Sequence, residues 1–237
     1  MVNDADFDWI FFDCFNTLID DFDEAGDESG LVSLPALAVE LGFFATAEAF
    51  VSAYARARRF RSDGREIHLP ERLAHTLAAS LKNAAHEIAD GVARLQARWE
   101  DDYHRLIRPT PGAAAMLAHW SGRKPAGVVS NFFLPDRPER YLEHFGLRAH
   151  FRFVVDSASF GYRKPDRRIF LHALAQAGLS AADAHRVLYI GDRNDLDVIP
   201  ARELGMQVIH FHRGRSRLGV EPTPAGITAI HDWAEFR

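Results

Sequence analysis

The chain has 237 residues, a formal net charge of −5 and 47% apolar residues. That is enough chain for one large α/β core with a smaller appended unit, since domains commonly run to about 100–200 residues. The negative balance speaks against a nucleic-acid partner, and no apolar run reaches the about 20 residues that cross a bilayer. Cys14 is the one cysteine, so no intramolecular disulfide framework exists. The acidic start, Met1 to Asp6, lacks the basic and apolar regions of a secretory signal, so the cytoplasm is the expected location.

Trp9-Ile10-Phe11-Phe12 reads as a buried strand that ends in Asp13, followed by Cys14-Phe15-Asn16-Thr17-Leu18. A carboxylate at a strand's carboxyl end lies where open α/β sheets do chemistry. The acidic stretch 20–28 is expected to be an exposed linker and flap. From about residue 34 to 107 the pattern is helical, with segments at 35–41, 46–61 and 70–82. A last helix spaces Ile88, Val92, Leu95, Trp99 and Tyr103 three or four apart in one apolar stripe. Such a stripe needs partners, so a small bundle is expected. Residues 105–110 form the second linker.

Strand-length apolar runs then recur at 127–130, 151–155, 187–190 and 207–211, alternating with helical patterns, which implies a parallel sheet. Pro165 is expected at the first position of a helix carrying Ile169, Phe170, Ala173 and Leu174, with Gly178 as the stop. Ser180 and Asp183 have the spacing of a capping box. The expected division is an α/β core of residues 1–19 and 106–237 and an inserted helical domain of residues 20–105.

Four segments carry polar chemistry, each at the carboxyl end of an expected strand. They are Asp13 with Thr17, Ser130-Asn131, Lys164 before Pro165, and Gly191-Asp192 with Asp197. Taken singly, each has an ordinary explanation. A strand-end Asp or Thr caps a turn, Ser-Asn forms loops, a helix-start Lys is solvated, and Asp197 fits the N-cap of a helix whose first turn holds Pro200. Taken in order, the four would gather in one crevice. The twelve histidines show no paired metal spacing and receive no role.

Together the segments resemble the haloacid dehalogenase superfamily, whose first motif is hhhh-D-x-D-x-T. The resemblance covers nearly the whole chain. It implies a Rossmann-like parallel core, with a helical cap inserted after the first motif and the core resuming near Thr110-Pro111-Gly112. It makes Asp13 a covalent nucleophile oriented by Thr17. Ser130 and Asn131 would contact the phosphoryl group and the leaving-group side, and Lys164 would neutralise the crowded anions. Phe15 and Asn16 would join Ser130, Asn131 and Lys164 around the substrate. Mg²⁺ would be held by Asp13, Asp192, Asp197 and the backbone carbonyl of Phe15, a set of hard oxygen ligands.

Phe15 stands where the family has its second aspartate, the general acid/base, and such help typically contributes about 10²–10⁴-fold. The expected activity is hydrolysis of a small phosphorylated metabolite by a monomer or homodimer. The leaving group would need no proton or would receive it elsewhere, as in the related phosphonoacetaldehyde hydrolases, which lack that aspartate and use a cap lysine. A 2-haloacid dehalogenase is the alternative, because those members carry an aromatic residue at this position. That residue is usually tyrosine followed by glycine, and their fourth motif is typically built from serine and asparagine without a metal. Arg56, Arg58, Arg59 and Arg61 could supply a carboxylate-binding arginine, or simply a solvated helix face. A catalytically weak phospho-ligand binder is a third reading. Cys14 is not read as a nucleophile, because the position of a phosphate-binding arginine, six residues on, holds Asp20. Asp195 is an extra acid that the family pattern does not require.

Overall fold

In the computed structural model, which describes residues 4–21, 33–58, 63–82, 84–213 and 222–237, the chain divides into two units. One is Asp21–Ile107, and the other joins Met1–Asp20 to Arg108–Arg237.

The Asp21–Ile107 unit contains α1 (Leu34–Glu40), α2 (Ala47–Ala57), α3 (Leu69–Leu77) and α4 (Ala85–Leu106). Prolines occupy the first turns of α1 and α3, where a missing N–H costs nothing. Thr46 caps α2 by accepting from Ala49 N at 3.3 Å. Leu95, Trp99 and Tyr103 of α4 are buried as the spacing predicts, with Trp99 and Tyr103 stacked at 4.5 Å. The upper half of the stripe departs from expectation. Gly91 is buried beneath the Phe43 ring, whereas Ile88 and Val92 are half-buried. A side chain at position 91 would overlap that ring.

The unit also buries an ion pair. Arg72 Nη2 donates to Glu66 Oε1 at 2.8 Å, Arg72 Nε donates to Ile67 O at 2.7 Å, and Ile67 N donates to Glu66 Oε1 at 3.1 Å. Arg56 and Arg58, in and just after α2, are exposed. Arg59 and Arg61, like most of the acidic stretch 20–28, lie outside the described residues.

The second unit is built on β1 (Trp9–Phe12), β2 (Ile19–Asp20), β3 (Arg108–Pro109), α5 (Ala113–Trp120), β4 (Ala126–Ser130), α6 (Arg137–His144), β5 (Phe153–Asp156), α7 (Ser157–Phe160), α8 (Arg167–Gln176), β6 (Val187–Gly191), α9 (Ile199–Glu203), β7 (Gln207–Phe211) and β8 (Thr228–Ile230). Six strands form one parallel sheet in the order β5-β4-β1-β6-β7-β8. The chain turns to one side of β1 through β4 and β5, and to the other through β6, β7 and β8. The carboxyl end of β1 is therefore a topological switch point, the place where such sheets open a crevice.

Central strands are covered on both faces, which is why β1 is apolar at successive positions. Phe11 packs edge-on to Phe153 at 5.3 Å, within a core that includes Val129, Ile169, Phe170, Leu174 and Tyr189. On the other face Phe12 meets Phe151 and Trp233 at 6.0 and 5.8 Å.

Three local expectations need correction. Asp20 is 2% exposed rather than part of an open linker. The short ribbon β2–β3 holds it beside Thr110, which donates at 2.8 Å, and beside Arg213, which also bonds its carboxylate. Asp21 is likewise buried and accepts from Tyr103 Oη at 3.2 Å. Pro165 does not open α8: the helix starts at Arg167, with the Asp166 carboxylate accepting from Arg168 N. β8 follows a Pro- and Gly-containing stretch and is too short to register as a periodic run.

Candidate active site

Asp13 sits one residue beyond β1, and its N–H continues the pairing with β6 by donating to Ile190 O at 2.9 Å. The chain then turns tightly. Leu18 N and Ile19 N both donate to Cys14 O, and Asn16 adopts φ +65°, a left-handed conformation that Asn tolerates better than most side chains. This turn brings Thr17 back beneath Asp13, where its hydroxyl donates to Asp13 Oδ2 at 3.0 Å. Cys14 is buried.

At the end of β4, Ser130 is fully buried, and its hydroxyl has no hydrogen-bond partner among the described residues. A buried unsatisfied hydroxyl is costly, which leaves this one able to take a partner at the strand's end. The Asn131 side chain bonds the loop ahead of α8. Its Oδ1 accepts from Lys164 N at 2.7 Å and its Nδ2 donates to Lys164 O at 3.0 Å. The amide thus fixes the main chain of Lys164.

Lys164 is 1% exposed. Its ammonium donates to Asp13 Oδ1 at 2.6 Å, Asp197 Oδ1 at 2.6 Å and Val129 O at 2.8 Å, with Tyr189 Oη at 3.2 Å. Beyond β6, Asp192 and a π-helical turn, Asn194–Val198, supply the fourth segment. Gly191 is required here, because a Cβ would lie 2.6 Å from Asp197 Cβ. Asp197 is not the N-cap of α9, the ordinary alternative for that position; Val198 is. The π turn lies before α9 and points the carboxylate inward, where Oδ1 takes Lys164 and Tyr189 and Oδ2 accepts from Arg193 N at 3.2 Å. Pro200 does occupy the first turn of α9. Asp195 faces outward and pairs with Arg193.

Asp13, Asp192 and Asp197 each place a carboxylate oxygen within 4.8 Å of the others. Shielding from solvent, opposed by Lys164 and reinforced by Asp197, pushes the Asp13 carboxyl up to about 6. The same shielding, then the charges of Asp13 and Asp197, raises the half-buried Asp192 as well. Burial alone would lower Lys164, but Asp13 and Asp197 more than offset it and hold the ammonium above its ordinary value. Lys164 thus bonds two of the three carboxylates, and the third, Asp192, feels the charges of Lys164 and Arg193. A hard divalent ion fits this donor set and would relieve the remaining repulsion.

Phe15 points into an aromatic cluster. Its ring stacks on Phe132 at 4.6 Å, and Tyr141 meets both rings edge-on at 6.3 and 6.1 Å. No proton donor occupies that side chain's place.

Two residues at the site carry no motif signal in the sequence. Tyr189 is an apolar-strand residue whose hydroxyl reaches Lys164 and Asp197. His210 is buried at the end of β7, with Nε2 3.1 Å from Asp192 O and Nδ1 2.8 Å from Thr223 Oγ1. β6 is buried along its whole length and β7 over its last three residues, so no polar alternation marks either position.

Among known proteins, the chain is 32% identical over 129 residues to the pyrimidine 5'-nucleotidase YjjG of Escherichia coli (strain K12), covering 54% of this chain and 56% of that protein. It is 32% identical over 112 residues to the glyceraldehyde 3-phosphate phosphatase of Methanocaldococcus jannaschii, covering 46% and 47%. The chain thus spans about half the length of these curated relatives. In fold it is similar to the crystal structure of 2-haloacid dehalogenase from Pseudomonas syringae pv. Tomato DC3000, with a TM-score of 0.72, 21% identity and coverage of 97% and 96%. A HAD phosphatase from Thermococcus onnurineus matches at a TM-score of 0.64 and 19% identity, with the same coverage. The family model described as haloacid dehalogenase-like hydrolase matches residues 7–205, well over half the chain, with Asp13, Lys164 and Asp197 all inside the match. The chain therefore belongs to the haloacid dehalogenase-like hydrolases.

Proposed function

We propose that this protein hydrolyses a small phosphorylated metabolite through Asp13, with Mg²⁺ bound by Asp13, Asp192 and the Phe15 carbonyl and with Asp197 close by. The helical unit is, in this reading, the family's cap. The observation that carries the proposal is Asp13 itself, held on one oxygen by Lys164 at 2.6 Å and on the other by Thr17 at 3.0 Å, beside an excess of carboxylates. Relatives named as a nucleotidase and phosphatases support a phosphorylated substrate.

Asp13 would attack phosphorus, and the bond to the leaving oxygen would break with its electron pair, giving an aspartyl phosphate. Water would then attack that phosphorus, releasing inorganic phosphate and restoring the carboxylate. Thr17 and Lys164 fix the carboxylate's orientation. The Ser130 hydroxyl would find its missing partner in a phosphoryl oxygen, and Lys164 offsets negative charge as the two anions meet. The ion, when bound, would neutralise charge on the transferring group.

Phe15 can neither protonate a departing alkoxide nor accept a proton from water. The reading therefore favours leaving groups that depart as stable anions, such as acyl phosphates and enolates.

Hydrolysis of acetyl phosphate and p-nitrophenyl phosphate with Mg²⁺ or a chelator, beside halide release from 2-chloropropionate, tests the proposal. Mg²⁺-dependent phosphate release that vanishes in Asp13→Asn supports it. Chelator-insensitive halide release would replace it with the dehalogenase reading, for which the aromatic residue at position 15 is the specific observation. Silence on every compound, with vanadate still bound, would leave a phospho-ligand binder.

A further inference from the structure

The geometry points to Tyr189 as a positioning residue that acts on the nucleophile through Asp197 and Lys164. This inference rests on the reading of Asp13 as nucleophile. Tyr189 belongs to none of the four sequence segments, yet it is fully buried on β6 with its ring against Phe170 at 5.5 Å and its hydroxyl in the charge cluster. The hydroxyl donates to Asp197 Oδ1 at 2.9 Å and lies 3.2 Å from Lys164 Nζ; Val129 O is 3.5 Å away.

An ammonium has three hydrogens, and Lys164 already has three closer acceptors in Asp13 Oδ1, Asp197 Oδ1 and Val129 O. The hydroxyl is thus not needed to satisfy Lys164. Its proton serves Asp197, whose Oδ1 is shared between Lys164 and Tyr189. By taking part of the Asp197 charge, Tyr189 limits how strongly Asp197 draws the ammonium. Lys164 is then left seated at 2.6 Å from Asp13. Without the hydroxyl, Asp197 becomes the stronger partner and Lys164 shifts its weight away from the nucleophile. The ring would pack as before, since phenylalanine lacks only the oxygen.

The test is a double-mutant cycle of Tyr189→Phe and Asp197→Asn, with acetyl phosphate hydrolysis, the Mg²⁺ concentration for half-maximal rate and the melting temperature all measured. Removing a hydrogen bond to a charged group predicts a fall in kcat of about tenfold or more in Tyr189→Phe. KM and half-saturating Mg²⁺ are expected to stay within about twofold, and Tyr189→Phe in the Asp197→Asn background to cause no further loss. An unchanged kcat, an equal loss in both backgrounds, or a loss that follows the fall in melting temperature would each overturn the inference. Asp13→Asn, run in parallel, separates the two claims. If it retains turnover, the nucleophile reading fails. If it is inactive while Tyr189→Phe is normal, only the role of Tyr189 fails.

Discussion

Each unit buries charge, and the two do so on opposite principles. In the helical unit, Glu66 and Arg72 bond each other directly at side-chain exposures of 1% and 6%, with neighbouring main-chain groups joined to both. In the α/β unit, Lys164 faces Asp13 and Asp197 with Asp192 beside them, so negative charge is left over. A mutually bonded acid and base satisfy each other, and losing either partner strands a buried charge. An unbalanced cluster is poorly suited to holding a fold together and well suited to receiving a cation and a reacting group. Burial of charge alone therefore does not mark a site; the imbalance does.

The largest expected contrast is between Asp13→Asn and any change at the Glu66–Arg72 pair. Asp13→Asn should lower turnover by at least about 10⁴-fold without lowering the melting temperature, because it removes one of three mutually repelling carboxylates. Residual turnover near the unmodified level would remove Asp13 from the chemistry. Next comes position 15, where the proposed function has no proton donor. Acetyl phosphate should be preferred over an alkyl phosphate such as glycerol phosphate by about 10²–10⁴-fold in kcat/KM. Phe15→Asp should narrow that ratio, at some loss of stability from the broken ring stack. An equal preference in the unmodified protein would mean that another group supplies the proton.

Glu66→Gln reverses the pattern. Urea unfolding should show a loss of about 3 kcal/mol, with turnover per folded molecule unchanged. A still smaller effect is expected from the ion. Mg²⁺ at about 100 times its dissociation constant should stabilise the protein by about 2.7 kcal/mol, seen as a higher melting temperature that Asp192→Asn abolishes. A rise that survives Asp192→Asn would place the ion elsewhere. At the bottom of the scale, Asp195→Asn alters an exposed pair and should change stability by under about 0.5 kcal/mol, which a denaturant titration would check.

The parallel sheet and the residues that end its strands were legible because their signals are local. Asp13, Ser130, Lys164 and Asp192 each follow an apolar run or a turn cue, so chain order alone gathers them. What escaped depends on distant partners. Asp20 looks like the start of a solvated acidic tract, and it is buried because Thr110 and Arg213, 90 and 193 residues away, bind its carboxylate. Tyr189 counts as core by its ring, and only its last atom belongs to the site. The Asn131 amide bonds a main-chain partner 33 residues on, which no local signal announces. Asp197 was open to two readings from spacing, and the π turn excludes the N-cap by aiming its carboxylate at Lys164.

The paired bonds between the Asn131 amide and the main chain of Lys164 act like one extra rung of a ladder, made by a side chain where the sheet has already ended. They clip the tip of β4 to the loop ahead of α8, so that the Ser130 hydroxyl and the Lys164 ammonium belong to one rigid jig. An incoming anion would meet both at a spacing set during folding rather than at the moment of binding.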